Sequence, residues 1–335
     1  MNENMNQYLS NKFRWLSLIA TWAVVGIHSR TYSEAAGGIN YSTRVQDIST
    51  DLFRFAVPLF FVISGYMFVS SFEKHGWMSL LRRKIKSLYL PMVIWGAIGL
   101  VMFLPIRIYI NEDVPTVFDF LKLPLLALSS GGGHFWYVRV LIVMFVCAPV
   151  VYYVARHIWA AVLCIVVALL IPEDSVCAQL HVPVAIIFIT LGIQLSIHWR
   201  GNGMFKGGWC CFIFSLAGLV LSFLFKAQIT THYFLILFEP LFMIGVVWFG
   251  YDIIDRIRPI GKFPEKLNVL FFVYCMHIII LYWSRGVLRV ALGTSPFMSL
   301  VRYFILLQTF WLDIIIANGI RRFFPRMFTV LAGGR

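Results

Sequence analysis

The feature that most constrains this chain is a series of apolar stretches of about 16–23 residues, separated by short polar segments. A helix of about 20 apolar residues crosses the hydrocarbon core of a bilayer, which is roughly 30 Å thick. The chain is 60% hydrophobic and 13% charged, whereas soluble domains are about 45–50% apolar and about 25% charged. These values exclude a water-soluble enzyme and predict an all-α integral membrane protein.

The apolar stretches predict a bundle of about ten transmembrane helices in a single membrane domain that covers residues 1–335. With the N-terminus in the cytoplasm, the cytoplasmic segments carry about three times as many Lys and Arg residues as the outer ones. Both termini are therefore expected in the cytoplasm, as short tails of about residues 1–12 and 318–335. The predicted spans are 14–32, 51–71, 88–109, 134–154, 157–172, 181–198, 208–226, 232–250, 267–284 and 297–317.

Charge and cysteine placement exclude two other classes of protein. The net charge is +13, but the cations lie between apolar spans and form no dense basic tract, so nucleic acid is not an expected partner. Five of the six cysteines lie in or at the ends of apolar spans and no CxxC occurs, which argues against a disulfide framework and a zinc site. Membrane lipids are expected partners, and no metal site is predicted.

Ionisable side chains within the spans are candidate functional residues, because an unpaired charge there costs a few kcal/mol. Most are expected in the outer half of the membrane and His277 near its middle, so an outward-facing polar chamber would hydrate them. In the alternative interpretation, arginines reach the lipid headgroups and histidines cap neighbouring helices; for Arg54 and Arg302 the two interpretations are equally supported. The candidates are His28, Arg54, His134, Arg139, Glu239, His277 and Arg302.

A basic segment at residues 74–86 precedes the third predicted span. It carries Lys74, Arg82, Arg83, Lys84 and Lys86. Such a cluster is typical of cytoplasmic loops that contact anionic lipids. The alternative is a binding site for the phosphates of a cytosolic donor, held by charge-assisted hydrogen bonds.

Four segments and one histidine together resemble the acyltransferase-3 family of integral membrane acyltransferases. FRFAVPLFFVISGYMF resembles its second-helix signature, and LRRKIKSLYLP resembles its basic loop with the following proline. HFWYVRVLIVMFVCAPVV is similar to its H-[LF]-W-F segment, LFFVYCMHIIIL to its late I-Y-x-x-H segment, and WAVVGIH ends on a first-helix histidine. The segments begin at Phe53, Leu81, His134, Leu270 and Trp22 and occur in the family's order over about residues 12–315. The subgroup with the greatest similarity O-acetylates cell-surface polysaccharides.

Two positions depart from the family pattern. The family carries Arg or Lys eleven residues before the first-helix histidine, which is three turns lower on the same face. Here that residue is Ser17, and Arg14, one turn lower, is the candidate to replace it. The family's R-x-x-R occurs as Arg83 to Lys86, and lysine keeps the charge but loses bidentate phosphate recognition.

The resemblance implies transfer of an acyl group, expected to be acetyl, from acyl-CoA to a hydroxyl of a cell-surface polysaccharide or lipid-linked glycan in a bacterial inner membrane. His28 is the expected general base, or it carries the acyl group as a transient acyl-histidine. Acyl-CoA is the donor substrate, and no bound cofactor is expected. The CoA diphosphate is assigned to Arg82, Arg83, Lys84 and Lys86 with Arg14, and oxyanion or acceptor contacts to Arg54, His134, Arg139, Glu239 and His277.

Two alternatives remain open. Ser17 is compatible with a family relative that has lost donor binding and catalysis. A transporter or flippase for a lipid-linked glycan would line its pathway with the same polar residues. Transporters of this kind often contain inverted repeats and paired interrupted helices, and the sequence shows neither. The oligomeric state is not predicted.

Overall fold

The computed structural model describes residues 3–29, 41–109, 115–126, 133–172, 175–179, 181–198, 208–225, 232–292 and 298–334. Every regular element within these ranges is helical. A π-helix (Ile85–Tyr89) joins α4 to α5, and a 3-10 turn (Gly133–Phe135) precedes α8. The α-helices are α1 (Glu3–His28), α2 (Tyr41–Phe53), α3 (Ala56–His75), α4 (Trp77–Lys84), α5 (Leu90–Met102), α6 (Leu104–Tyr109), α7 (Val117–Leu126), α8 (Trp136–Val146), α9 (Ala148–Ala155), α10 (Ile158–Leu170), α11 (Val176–Gln179), α12 (Val182–His198), α13 (Trp209–Leu224), α14 (His232–Ile257), α15 (Leu270–Leu292), α16 (Met298–Phe323) and α17 (Pro325–Leu331).

Each predicted span coincides with helical structure, but fewer helices are long and apolar enough to cross a bilayer by themselves. In the described part of the chain there are five, or six if the broken pair α8 and α9 is counted as one span. The apolar helices α10, α12 and α13 are shorter, at 13, 17 and 16 residues. A multi-pass membrane protein is supported, while ten crossings and the cytoplasmic location of both termini stay predictions.

Four predicted segments have a different local structure. The fourth predicted span is broken at Cys147, because Pro149 has no N–H to continue the helical hydrogen bonds across the break. The basic segment, interpreted as a loop, is helical on both sides of Gly76. The two segments interpreted as tails are also largely helical, since α1 begins at Glu3 and α17 ends at Leu331. Residues 30–32, at the end of the first predicted span, lie outside the described residues.

The helices form two compact units. The first unit contains Met1–Ile27, Asp47–Gly76 and Ala148–Asn268, and the second contains His28–Gln46, Trp77–Cys147 and Val269–Arg335. Each unit is therefore assembled from segments that are far apart in the sequence.

Close backbone contacts between helices organise the first unit. A Cβ atom on Gly65 of α3 would lie 2.3 Å from the carbonyl oxygen of Ile189, and one on Gly192 of α12 would lie 2.2 Å from that of Val62. The backbones of α3 and α12 therefore touch through glycines, as in many membrane helix pairs. Gly65 thus has a packing role, which is the more common function of small residues in spans.

The second unit is built around α15, which packs against α16 and α5. Its N-terminal part carries Phe272, whose ring contacts Trp95 of α5 at 5.0 Å and stacks on Phe328 of α17 at 5.8 Å, both measured between ring centroids. These three aromatic side chains are buried. They fix the beginning of α15, the helix that also carries His277.

Candidate functional site

Three histidines from distant parts of the sequence meet in the second unit. His28 is the last residue of α1, His134 lies in the turn before α8, and His277 lies in α15. The ring centroid of His277 is 5.3 Å from that of His28 and 5.5 Å from that of His134. His277 is fully buried. We call these three residues the histidine cluster.

Backbone hydrogen bonds select the tautomer of two of these rings. Nδ1 of His277 lies 2.6 Å from the carbonyl oxygen of Tyr274. Because a carbonyl oxygen can only accept, this Nδ1 carries the proton and donates. The ring of His134 hydrogen-bonds the backbone of Cys275, and the hydroxyl of Tyr274 donates to the His134 carbonyl oxygen at 2.6 Å.

The second ring nitrogens of these histidines are left open. Nε2 of His134 and Nε2 of His277 are buried and have no hydrogen-bond partner among the described residues. With Nδ1 protonated, each neutral ring keeps a lone pair on Nε2. Buried polar atoms are nearly always hydrogen-bonded in proteins, so two open nitrogens in one cluster indicate a place for a substrate group or water.

Two arginines lie at the edge of the cluster. Arg285 of α15 is close enough to His28 for their charges to interact. Nε of Arg302 in α16 donates to Oγ of Ser29, the residue after His28, at 3.3 Å. Arg302 is fully buried, which is inconsistent with the interpretation that it reaches the lipid headgroups. Each guanidinium group brings a positive charge and N–H donors to the surroundings of His28.

The basic segment contacts the C-terminal end of α8. Nζ of Lys84 lies 4.7 Å from the ring centroid of Phe145, and the indole N–H of Trp77 donates to the Phe145 carbonyl oxygen at 3.3 Å. Arg82, Arg83 and Lys86 are exposed beside it. Phe145 follows His134 by eleven residues, which corresponds to about 16 Å along the helix axis.

A family comparison covers this whole arrangement. The model of the acyltransferase-3 family, described as an acyltransferase domain, matches residues 11–317. The chain belongs to the acyltransferase-3 family. It is a multi-pass membrane protein with an acyltransferase domain, and the match includes all three histidines and the basic segment. No curated protein and no solved structure gives a significant match.

The other predicted site residues differ in their surroundings. Arg139 is buried in α8, in the same unit as the histidine cluster. Arg54, Glu239 and Arg14 belong to the first unit. Arg54 is 51% exposed and pairs with Asp51 at 3.1 Å, which supports a structural interpretation, whereas Glu239 is buried in α14.

The position at which this acyltransferase-3 member departs from its family lies on a regular helix. Because α1 is continuous, Ser17 is three turns before His28 on the same face, as predicted. Arg14, the candidate to replace the family cation, is exposed. Lys12, which was expected in the cytoplasmic tail, is fully buried in an ion pair with Asp252 at 2.6 Å.

Several polar residues of the second unit were not predicted as site residues. Tyr274 contacts both His134 and His277, and the Y-x-x-H spacing in the sequence could have indicated the second contact, since residues three apart are neighbours on a helix. Arg285 was assigned to an outer loop because α15 was expected to end at residue 284, but it continues to Leu292. Asp313 is fully buried, and its carboxyl group has no hydrogen-bond partner in the described part of the chain; a single acidic residue within an apolar span was its signal.

No other arrangement in the described residues offers comparable chemistry. No group of three or more His, Cys, Asp or Glu residues is placed to hold a metal ion there. A cavity of about 560 Å³ in the first unit is lined by α12, α13 and α14, together with Val62 of α3. Its lining is apolar, and Cys210 and Cys211 are its titratable side chains. The histidine cluster is therefore the candidate active site.

Proposed function

We propose that this protein transfers an acyl group, acetyl in our assignment, from acyl-CoA to a hydroxyl of a cell-surface polysaccharide or lipid-linked glycan at a bacterial inner membrane. The observation that carries the proposal is the histidine cluster inside a matched acyltransferase domain. A sugar hydroxyl is a weak nucleophile at neutral pH, and a neutral imidazole can accept its proton during attack.

In the proposed reaction, an imidazole nitrogen of His28 takes the hydroxyl proton while the hydroxyl oxygen attacks the thioester carbonyl carbon. A C–O bond forms and the carbonyl oxygen becomes an oxyanion. The C–S bond then breaks, and the CoA thiolate takes the proton from the imidazolium. In the alternative route, His28 attacks the thioester carbonyl carbon, the C–S bond breaks, and the CoA thiolate leaves with the imidazole proton. The hydroxyl then attacks the acyl-histidine, the C–N bond breaks, and the hydroxyl proton returns to the imidazole.

Cationic and polar groups around His28 are assigned to the oxyanion. Arg285 is the group that is supported best, since its positive charge acts on His28. His134 keeps a lone pair on Nε2, so we assign it to an acceptor hydroxyl, which can donate to this nitrogen. Arg139 is a further candidate because it is buried in α8. We assign His277 to orienting the acceptor and keep Glu239 as a proposed acceptor contact on its burial alone, and we leave Arg54 out.

The distance along α8 supports acyl-CoA as the donor. We assign the CoA diphosphate to Arg82, Arg83, Lys84 and Lys86. The pantetheine arm of CoA is about as long as an extended peptide of four to five residues, so it spans about 15 Å when it is extended. This length is comparable with the roughly 16 Å between Phe145, which Lys84 contacts, and His134. The exposed Arg14 is a weaker candidate for donor binding.

Labelled donor tests the proposal directly. Membranes that contain wild type, His28→Ala or His157→Ala at matched expression are incubated with acetyl-CoA labelled on its acetyl group, and base-labile label is counted in extracted glycan. His157 is an exposed histidine at the start of α10 and serves as the control. We expect label with wild type and His157→Ala, and a loss of about 100-fold or more with His28→Ala. Equal labelling by His28→Ala would remove this residue from the mechanism.

Ser17 supports a second candidate, a catalytically inactive relative that has lost donor binding. The two candidates differ in equilibrium binding of CoA to the purified protein. An active enzyme binds CoA and transfers label, whereas an inactive relative of this kind does neither.

Rapid quenching of wild type with labelled acetyl-CoA separates the direct route from the acyl-histidine route. Label that stays on the wild-type protein and is absent from His28→Ala indicates an acyl-histidine.

A further inference from the structure

The last eighteen residues follow the family match, which ends at residue 317. Although a tail is expected, part of this segment is packed: Phe328, Leu331 and Ala332 are buried, and α17 lies against α5. We call residues 325–334 the C-terminal clamp.

The clamp contacts a carbonyl group that Pro91 displaces. In a regular helix the N–H of residue 91 would bond the carbonyl oxygen of Ser87, but proline has no N–H and its ring clashes with that carbonyl. The helix widens at this point into the π-helix, and the N–H of Leu90 bonds the Ile85 carbonyl oxygen, five residues earlier. Single π-turns of this kind occur frequently at functional sites. This turn carries Lys86, one of the proposed phosphate-binding residues.

Two contacts hold the clamp against this turn and against α5, which follows it. Gly333 has φ +69°, and a Cβ atom built on it would lie 2.2 Å from the Ser87 carbonyl oxygen. Only glycine allows this approach. Two turns further along, the buried indole N–H of Trp95 donates to the carbonyl oxygen of Leu331 at 3.1 Å.

The clamp also contacts the helix that carries the histidine cluster. Phe328 of α17 stacks on Phe272, and Phe272 also contacts Trp95. Phe272 precedes His277 by five residues on α15. The clamp therefore contacts both parts of the proposed site: Gly333 contacts the turn assigned to the donor phosphates, and Phe328 contacts the base of the histidine helix.

We propose that the C-terminal clamp is a positioning element for the donor: it holds the π-turn with Lys86 at the depth from which the acyl group of acyl-CoA reaches the histidine cluster. The clamp lies outside the family match, which ends at residue 317. The proposal rests on the proposed function, and its test has one arm that does not require activity.

Gly333 and Gly334 provide a matched pair of variants. Both have positive φ, at +69° and +77°, so alanine strains the backbone similarly at either position. A Cβ atom on Gly334 meets no atom within 4 Å, whereas one on Gly333 must displace Ser87. The comparison of Gly333→Ala with Gly334→Ala thus isolates the contact with the π-turn.

The experiment uses the purified full chain in lipid nanodiscs. Hydrogen exchange over residues 85–90 reports the turn, and CoA binding and acetyl-transfer kinetics report the donor site. For Gly333→Ala we expect faster exchange in this segment, and the Kd for CoA and the KM for acetyl-CoA each raised about tenfold, with kcat within about twofold of wild type. For Gly334→Ala we expect all four quantities within about twofold of wild type.

Several results would overturn the proposal. Equal changes in the two variants would assign the effect to backbone strain, and faster exchange with unchanged CoA binding would remove the donor role. A wild type that binds no CoA would contradict the proposed function and the donor role together. The hydrogen-exchange measurement would still report whether Gly333 holds the π-turn. If Gly333→Ala does not fold, Trp95→Phe removes the second contact without a clash and should raise the KM about threefold.

Discussion

Two buried polar clusters in this protein differ in whether their hydrogen bonds are satisfied. In the first unit, Asp252 accepts hydrogen bonds from Lys12 and from the Tyr8 hydroxyl, and Nζ of Lys12 lies 4.4 Å from the Trp248 ring centroid. Burial and the neighbouring Asp252 carboxylate raise the pKa of the Tyr8 phenol, so this hydroxyl stays protonated and donates. In the second unit, His134 and His277 each leave one ring nitrogen open.

The difference separates a structural cluster from a functional one. Around Asp252 the protein supplies its own partners, because Oδ1 accepts from both Lys12 and Tyr8. In the histidine cluster, Nδ1 is used to orient the rings and Nε2 is left open. Keeping such an atom unpaired costs about 1–3 kcal/mol, and a substrate that supplies the missing bond recovers this energy on binding.

Breaking the satisfied cluster should have the largest effect. Lys12→Met leaves the Asp252 carboxylate without its buried cation, and we expect the free energy of unfolding to fall by about 3–5 kcal/mol. The double variant Lys12→Met, Asp252→Leu should recover most of this loss, because two apolar side chains need no partner. Equilibrium unfolding in mixed detergent micelles measures both values. A single variant within about 1 kcal/mol of wild type would show that the pair is not structural.

The unsatisfied cluster should respond in the opposite way. His277→Phe keeps a ring of similar size and removes both nitrogens, so we expect acetyl transfer to fall about 100-fold, equivalent to about 2.7 kcal/mol in the barrier. The free energy of unfolding should change by no more than about 1 kcal/mol, because one backbone hydrogen bond is lost. Kinetics and unfolding are measured on the same preparation, with His157→Phe as the surface control. A lower free energy of unfolding with unchanged acetyl transfer would show that His277 has a structural role.

The helices were predictable because their signal is local. An apolar stretch long enough to cross a bilayer predicts a helix wherever it occurs, and each predicted span overlaps helical structure, although the fourth is broken at Cys147. Helix ends were less predictable, since they depend on capping and on packing with other segments. That is why α15 continues past the expected end to include Arg285, and why α1 begins early enough to bury Lys12.

The histidine cluster was predictable only as a set of residues. The sequence indicates His28, His134 and His277 as separate candidate site residues, because each is a titratable group in or beside an apolar span. That they meet depends on packing among segments of the second unit that are separated by more than a hundred residues. The same packing assigns Arg54 and Glu239 to the other unit, although their expected depth suggested one shared chamber.

Arg54 provides the smallest expected effect and the sharpest contrast with Arg302, since sequence supported the same two interpretations for both. Arg54 is 51% exposed and pairs with Asp51 three residues earlier, and exposed pairs of this kind contribute about 0.2–1 kcal/mol. We expect Arg54→Ala to change the free energy of unfolding by less than about 1 kcal/mol and acetyl transfer by less than about twofold. Arg302→Met removes a fully buried donor to Ser29, beside His28, and should lower transfer more than Arg54→Ala does. If the label-transfer assay ranks the two variants the other way, exposure is the wrong criterion for choosing between these arginines, and the site would have to include Arg54.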